Sequence, residues 1–176
     1  MELTIIGFVL GIIASMLAWW ILTHGFVPKI KFASILSKVE TINKGNYKYR
    51  IGIKNVGIRD IIDVSIYFEL LIKGFDLEIP TNTDHIPIGL RKNSIPRITS
   101  GNRWAIDIDL EKIPDYFKSR IKNHDTLEQI MNFDDCKARI IVMGYDKFSG
   151  SRKVFVSKEY TLEDIIEDKI KQEYYK

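Results

Sequence analysis

The side chains able to do chemistry are few and scattered. His24, His85 and His124 lie far apart, with no H-E-x-x-H pair to put two imidazoles on one helix face. The one cysteine, Cys136, cannot build a thiolate-rich zinc site or an intramolecular disulfide. The glycine-rich runs that cradle phosphate are missing, and so is the G-x-S-x-G elbow of serine hydrolases. Ser149-Gly150-Ser151 reads as a hairpin turn. Asp107 and Asp109 alternate in RWAIDIDL, so their carboxylates leave one face of a strand about 7 Å apart. Such a pair suits a divalent cation or acid–base work. Trp104, Ile106 and Ile108 form a core stripe on the other face, however, which assigns the two acids to solvent. Asp134-Asp135 reads as a loop or cap, and Asp146-Lys147 opens a turn. The expectation is therefore no catalytic residue, no cofactor and no metal site. The alternative is a membrane-tethered enzyme built on Asp107, Asp109 and a histidine.

Composition narrows the classes further. With 176 residues the chain has room for one ordinary domain and an anchor. Apolar residues (45%) and charged residues (28%) stand near the average for folded proteins, so extensive disorder is not expected. A net charge of +3 does not point to nucleic acid. The basic face of Lys48, Arg50 and Lys54 lacks exposed aromatics between its cations, because Tyr47 and Tyr49 fall on the opposite side, so no stacking platform is expected. A lone thiol argues against a disulfide-stapled secreted domain and for a reducing compartment.

The element that positions everything else is the opening run from Leu3 through Ile12, Trp19 and Trp20 to Leu22, LTIIGFVLGIIASMLAWWIL, which carries no charge. About 20 helical residues cross a hydrocarbon core of about 30 Å, and the two tryptophans close the run where an aromatic belt would sit. A cleaved signal peptide fits less well, since the run is long and lacks a basic start and a small-residue cleavage site. The reading is a single span. Residues 24–58 carry six lysines and one arginine against one acid, Glu40, beginning with Lys29, Lys31 and Lys38. Cations resist translocation, so the N-terminus is expected outside and the following domain in the cytoplasm. Lys29 and Lys31 lie close enough to the span to contact anionic lipid. Gly7 and Gly11 form a G-x-x-x-G pair that Ala14 and Ala18 extend, a small-residue face on which a second helix could pack.

Gly25 to Pro28 breaks the helix as a linker, and period-2 alternation takes over from Lys29. Residues 29–37 read as a first strand. In NYKYRIGIK (46–54), Tyr47, Tyr49, Ile51 and Ile53 face one way. In IIDVSIYFELLI (61–72), Ile62, Val64, Ile66, Phe68, Leu70 and Ile72 do the same. Pro80, Pro87 and Pro96 limit the stretch 76–98 to edge pieces. Residues 103–110 form another strand, and 114–121 a short helix with Phe117 and Ile121 at i, i+4. Asp125 is the expected cap of a second short helix. KARIIVMGY (137–145) reads as a fully buried strand and RKVFVSKEY (152–160) as its hairpin partner. Thr161 and Asp164 resemble a capping box for an amphipathic C-terminal helix with Leu162, Ile165, Ile166 and Ile170 on one side and a Glu167–Lys171 pair.

Within residues 46–72, IGIKNVGIRDIIDVSI resembles a recurrent hairpin of immunoglobulin-like and fibronectin-like binding modules: a strand ends in an Asn-x-Gly turn, and an acid-bounded alternating run follows. The Cys…Trp…Cys spacing of true immunoglobulin domains is absent. Seven or eight short strands point the same way. The expected fold is mainly β: an antiparallel β-sandwich, immunoglobulin-like or related, over residues 29–160, behind a single transmembrane helix (1–24) and a linker (25–28), with a C-terminal helix and tail (161–176). A small closed barrel is the other β solution. The expected function is a membrane-anchored, non-enzymatic interaction or ligand-sensing module. Its partners would be membrane lipid and a protein or second copy, with no nucleic acid. An auxiliary subunit of a membrane channel or transport complex is the alternative.

Overall fold

The computed structural model describes residues 2–41, 46–76, 78, 80–120, 125–133 and 135–175, apart from the side chains of Glu2, Leu3 and His24. The described chain is mainly β, with two five-stranded sheets and one long helix, α1 (Glu2–Trp20). Thr4–Thr23 is a 20-residue stretch apolar and long enough to cross a membrane, and none of it is buried against the rest of the chain. Its two mid- and late-helix hydroxyls are satisfied internally: Ser15 Oγ donates to Gly11 O (2.8 Å) and Thr23 Oγ1 to Trp19 O (2.8 Å). A π-turn over Ile21–Gly25 ends the helix, with Phe26 N donating to Ile21 O (3.3 Å).

The first sheet holds β1 (Ile30–Phe32), β2 (Leu36–Glu40), β3 (Tyr47–Asn55), β7 (Arg103–Asp107) and β10 (Ile165–Ile166). β1 and β2 pair with successive stretches of one edge of β3, and β7 covers the other. The single strand expected over 29–37 is thus two. The break falls at Ala33–Ile35, where the Tyr160 hydroxyl donates to Ala33 O (2.6 Å) and Ser34 N donates to Tyr174 O (2.7 Å), drawing the backbone away from β3.

The second sheet is built on β4 (Ile61–Lys73). One edge of β4 carries β6 (Ser94–Ile98) and β5 (Thr83–Ile88) end to end, and the other pairs with β8 (Lys137–Asp146), beyond which lies β9 (Arg152–Val156). Pro87 and Pro96 sit in the edge pieces β5 and β6, where a missing N–H leaves no ladder bond unmade. Tyr49, Ile51, Ile53 and Ile106 from the first sheet share one core cluster with Ile66, Phe68, Leu70, Ile140 and Val142 from the second. α2 (Asp115–Lys118) and α3 (Leu127–Met131) close it with Phe117, Leu127 and Ile130.

Several expectations are corrected. β3 and β4 are not a hairpin; they belong to different sheets, and residues 56–60 cross between them. Asn55, fully buried, makes the crossing: its Nδ2 donates to Arg59 O (2.8 Å) and Ile98 O (3.3 Å), and its Oδ1 accepts from Gly57 N (3.0 Å). In β4 a bulge with Asp63 at φ 49° shifts the register between Ile62 and Ser65, so Ile61 is buried and Ile62 only half-buried. β8 is buried on one face, not two: Ala138, Ile140 and Val142 point inward, while Arg139, Ile141, Met143 and Tyr145 point outward. Thr126, not Asp125, caps α3 through a reciprocal pair with Gln129. Ile121, the second residue of the spacing expected in 114–121, lies outside the described residues.

The C-terminal helix does not form. Asp164 does accept from Thr161 N (2.9 Å), but the box caps only one 3-10 turn, Leu162–Asp164. The chain then runs parallel to β2 as β10, ends in a second turn (Gln172–Tyr174), and buries Tyr175. Lys171 pairs with Asp168 (2.6 Å) and not with Glu167. A short isolated helix is marginal, whereas the edge of β2 offers unpaired backbone groups, so strand pairing wins.

Candidate functional site

The two acids singled out in the sequence each have a cation of their own. Arg50 Nε lies 2.7 Å from Asp107 Oδ1 across the β3–β7 pair, and Lys112 Nζ 3.0 Å from Asp109 Oδ2. Asp109 also accepts from Glu111 N (3.3 Å) to start a 3-10 turn. Both line an open cleft of about 810 Å³ shared with Tyr47, Lys48 and Arg91. No histidine joins them among the described residues: His85 sits on the other sheet, with Nδ1 3.4 Å from Glu69 Oε2 and 3.3 Å from Arg139 Nη2. The side chain of His24, with His124 and Asp134, lies outside the described residues. No group of three or more metal-binding side chains occurs among the described residues. Burial pushes the Cys136 thiol up to about 12, which leaves it unreactive at neutral pH. Ser149 serves the 147–151 turn by donating to Asp146 Oδ2 (2.7 Å).

What the sequence did not reveal is the outer face of β4, β8 and β9. Residues directly opposite one another in antiparallel strands share a face. One row reads Tyr67–Ile141–Val156, the next Ser65–Met143–Val154, and the next Ile62–Tyr145–Arg152. Tyr67 is 51% exposed, Val154 53% and Val156 51%, so apolar side chains run unbroken over three strands on the solvent side. An antiparallel sheet facing water normally carries polar residues there. Charge gathers at the rim: Arg139 binds Glu69 (2.5 Å), Lys137 binds Glu159 (2.7 Å), and Arg152 Nη2 lies 3.1 Å from Met143 Sδ. Among the described residues no strand pairs with the far edge of β9, which contains no proline.

No protein-family model matches this sequence, and no curated protein matches it either. The site must be read from its own chemistry.

At the exit of α1 the chain is clasped, not loose. Lys29 O accepts from Val56 N (2.8 Å) and Gly57 N (3.3 Å), while the ammonium groups of Lys29 and Lys31 belong to exposed residues. Arg59 joins three elements at once. Its Nη2 donates to Leu22 O (2.5 Å), its Nη1 lies 3.3 Å from Asp146 Oδ2, and its guanidinium stacks 4.0 Å from the centre of the Phe148 ring. Burial alone would raise the Asp146 carboxyl, but Ser149, the Phe148 N–H and Arg59 hold it below the usual carboxylate range. Ile12, Ala14, Ala18, Trp19 and Trp20 on α1 and Leu22 in the π-turn are exposed, and nothing lies within 4 Å of where a Cβ would stand at Gly7 or Gly11. Leu3 belongs to the helix, its side chain outside the description.

Proposed function

We propose that this chain is a membrane-anchored, non-enzymatic interaction module that presents the outer face of β4–β8–β9 to a protein partner. Thr4–Thr23 is the anchor, with the N-terminus outside and the β domain in the cytoplasm, a reading supported by the uncharged run and the cations from Lys29 onward. We read the two sheets as an immunoglobulin-like sandwich. In support, β2, β3 and β7 stand as strands A, B and E, and β4, β8 and β9 as C, F and G, with β5 and β6 flanking β4.

The observation that carries the function is the contiguous apolar outer face beside the unblocked edge of β9. Such a face favours an extended segment that adds to β9 and lays alternate side chains beside Val154 and Val156, on the face that Ile141, Met143 and Tyr145 continue. Tethering raises the local concentration of chain and partner, so weak contacts suffice. The test is affinity capture from mild detergent with the native chain and a Tyr145→Ser/Val154→Glu variant, both changes at exposed positions. The native chain should retain a defined partner or a second copy that the variant loses while melting at the same temperature. Equal retention by both would place the interaction elsewhere.

A second reading rests on the uncovered backbone at Gly7 and Gly11: the helix packs laterally against another span, as in an auxiliary subunit of a membrane channel or transport complex. Replacing both glycines by Ile should then abolish assembly and leave the β domain folded.

A further inference from the structure

The end of the domain at the helix exit carries its own exposed apolar tips. Ile58, in the β3–β4 crossing, is 65% exposed, and Phe148, in the β8–β9 loop, is 67% exposed, with Val56 and Phe26 beside the same exit. Neither tip is free to swing. At Gly57 a Cβ would stand 2.3 Å from Lys29 N and 2.5 Å from Val27 O, so the crossing lies flat on the linker. Asn55 ties that crossing to Lys29, to Arg59 and to the end of β6. Phe148 is held under the same guanidinium that grips the Leu22 carbonyl. One side chain therefore fixes the phenyl ring next to the end of α1, where Trp19 and Trp20 lie.

The surrounding charge has a small cationic excess: Lys29, Lys147, Arg59 and Arg97 stand against Asp60, Asp63 and Asp146. Lys29 holds the crossing through its carbonyl, Lys147 N donates to Asp60 O (3.1 Å), Arg97 pairs with Asp60, and Arg59 lies over Phe148. Of the acids, Asp146 is buried against Arg59, and Asp60 is taken by Arg97 and by Ser100 N (3.1 Å). Asp63 alone remains exposed and unassigned among the nearby acids, on the bulge of β4. Apolar tips beside Lys29 and Lys147, which make no ion pair among the described residues, at the foot of a membrane helix fit one surface, a bilayer with anionic headgroups.

We propose that Ile58 and Phe148 seat in the headgroup region of the bilayer that holds α1, so that the domain is fixed on the membrane surface with β9 standing away from it. This rests on the anchor reading, and the experiment separates the two. The full chain carrying Cys136→Ser and a single new cysteine, Ile58→Cys or Phe148→Cys, is labelled with an environment-sensitive fluorophore in phosphatidylcholine–phosphatidylglycerol vesicles. Thr81→Cys, at an exposed turn beside the far end of β4, is the reference. Labels at 58 and 148 should emit at shorter wavelength than at 81 and be quenched several-fold more strongly by headgroup-level spin-labelled lipid. In the same samples, brominated acyl chains should quench the Trp19 and Trp20 emission. Tryptophan quenching with water-like labels at 58 and 148 overturns the seating and leaves the anchor standing. Labels shielded from water but untouched by lipid quenchers place a protein surface there and also overturn it. Loss of both signals refutes the anchor reading itself.

Discussion

Arg59 and Asp146 carry more of this molecule's organisation than any catalytic-looking residue. Asp146 is 1% exposed and accepts from Arg59, Phe148 N (3.1 Å) and Ser149, so it holds the 147–151 loop and the helix exit together. Removing one partner of a buried pair strands the other charge. Asp146→Ala should therefore cost about 3 kcal/mol or more, read by denaturant unfolding of the full chain in mild detergent. A second junction lies at Glu128, which takes the Tyr49 hydroxyl and pairs with Lys38 (2.7 Å), pinning α3 to the first sheet. Burial pushes the Tyr49 hydroxyl up, and the Glu128 carboxylate adds to it. For Glu128 itself burial works the other way from its partners, but Lys38 and Tyr49 prevail and lower the carboxyl. The folded chain thus binds fewer protons at Glu128 and Asp146 than the unfolded chain does in mild acid. Their stabilisation is complete above the ordinary carboxylate range near pH 4 and is lost as pH falls through the lowered folded values. Glu128→Ala should cost about 1–3 kcal/mol at neutral pH and flatten the acid limb of the stability curve, measured by unfolding across pH. The Tyr49–Glu128, Lys38–Glu128 and Arg59–Asp146 pairs were not legible in the sequence, because they join residues 79 to 90 positions apart only through the fold.

At the scale of elements, alternation named most strands and most inward residues, as with Tyr49, Ile51 and Ile53 in β3. It could not say which strands are neighbours. Period two tells which face is buried, whereas the path from β3 to β4 is decided by the Asn55 hydrogen bonds and by the space Gly57 leaves for the linker. Gly57→Ala should push the crossing off Lys29 and cost about 1–3 kcal/mol by overpacking, seen as a lowered melting temperature of the intact protein. The C-terminal stripe misled for a related reason. Ile165 and Ile166 suit a helix face and a strand equally, and the open edge of β2 chose the strand. β8 misled by richness: IIVM suggests burial on both faces, but the structure leaves Ile141 and Met143 outward beneath no described element. That surplus of apolar residues on β8, continued by Val154 and Val156 on β9, was the one signal in the sequence of the exposed apolar face.

For the whole molecule, an apolar helix, a clasp at its exit and an exposed apolar sheet face make one consistent device. On the proposed function, the helix would hold the chain at a bilayer and leave β4–β8–β9 to receive a partner, while Arg59 ties the helix exit to the domain. Tyr145→Ser/Val154→Glu should abolish that partnership without changing the melting temperature, which separates contact from folding. Everything depends first on α1 lying in lipid. The direct measurement is alkaline extraction of membranes from cells expressing the full chain, followed by the intact mass of the product. The chain should stay in the membrane pellet with residues 4–23 still attached. Release of the full chain into the alkaline supernatant, or recovery of a product cleaved after the apolar run, would contradict the account.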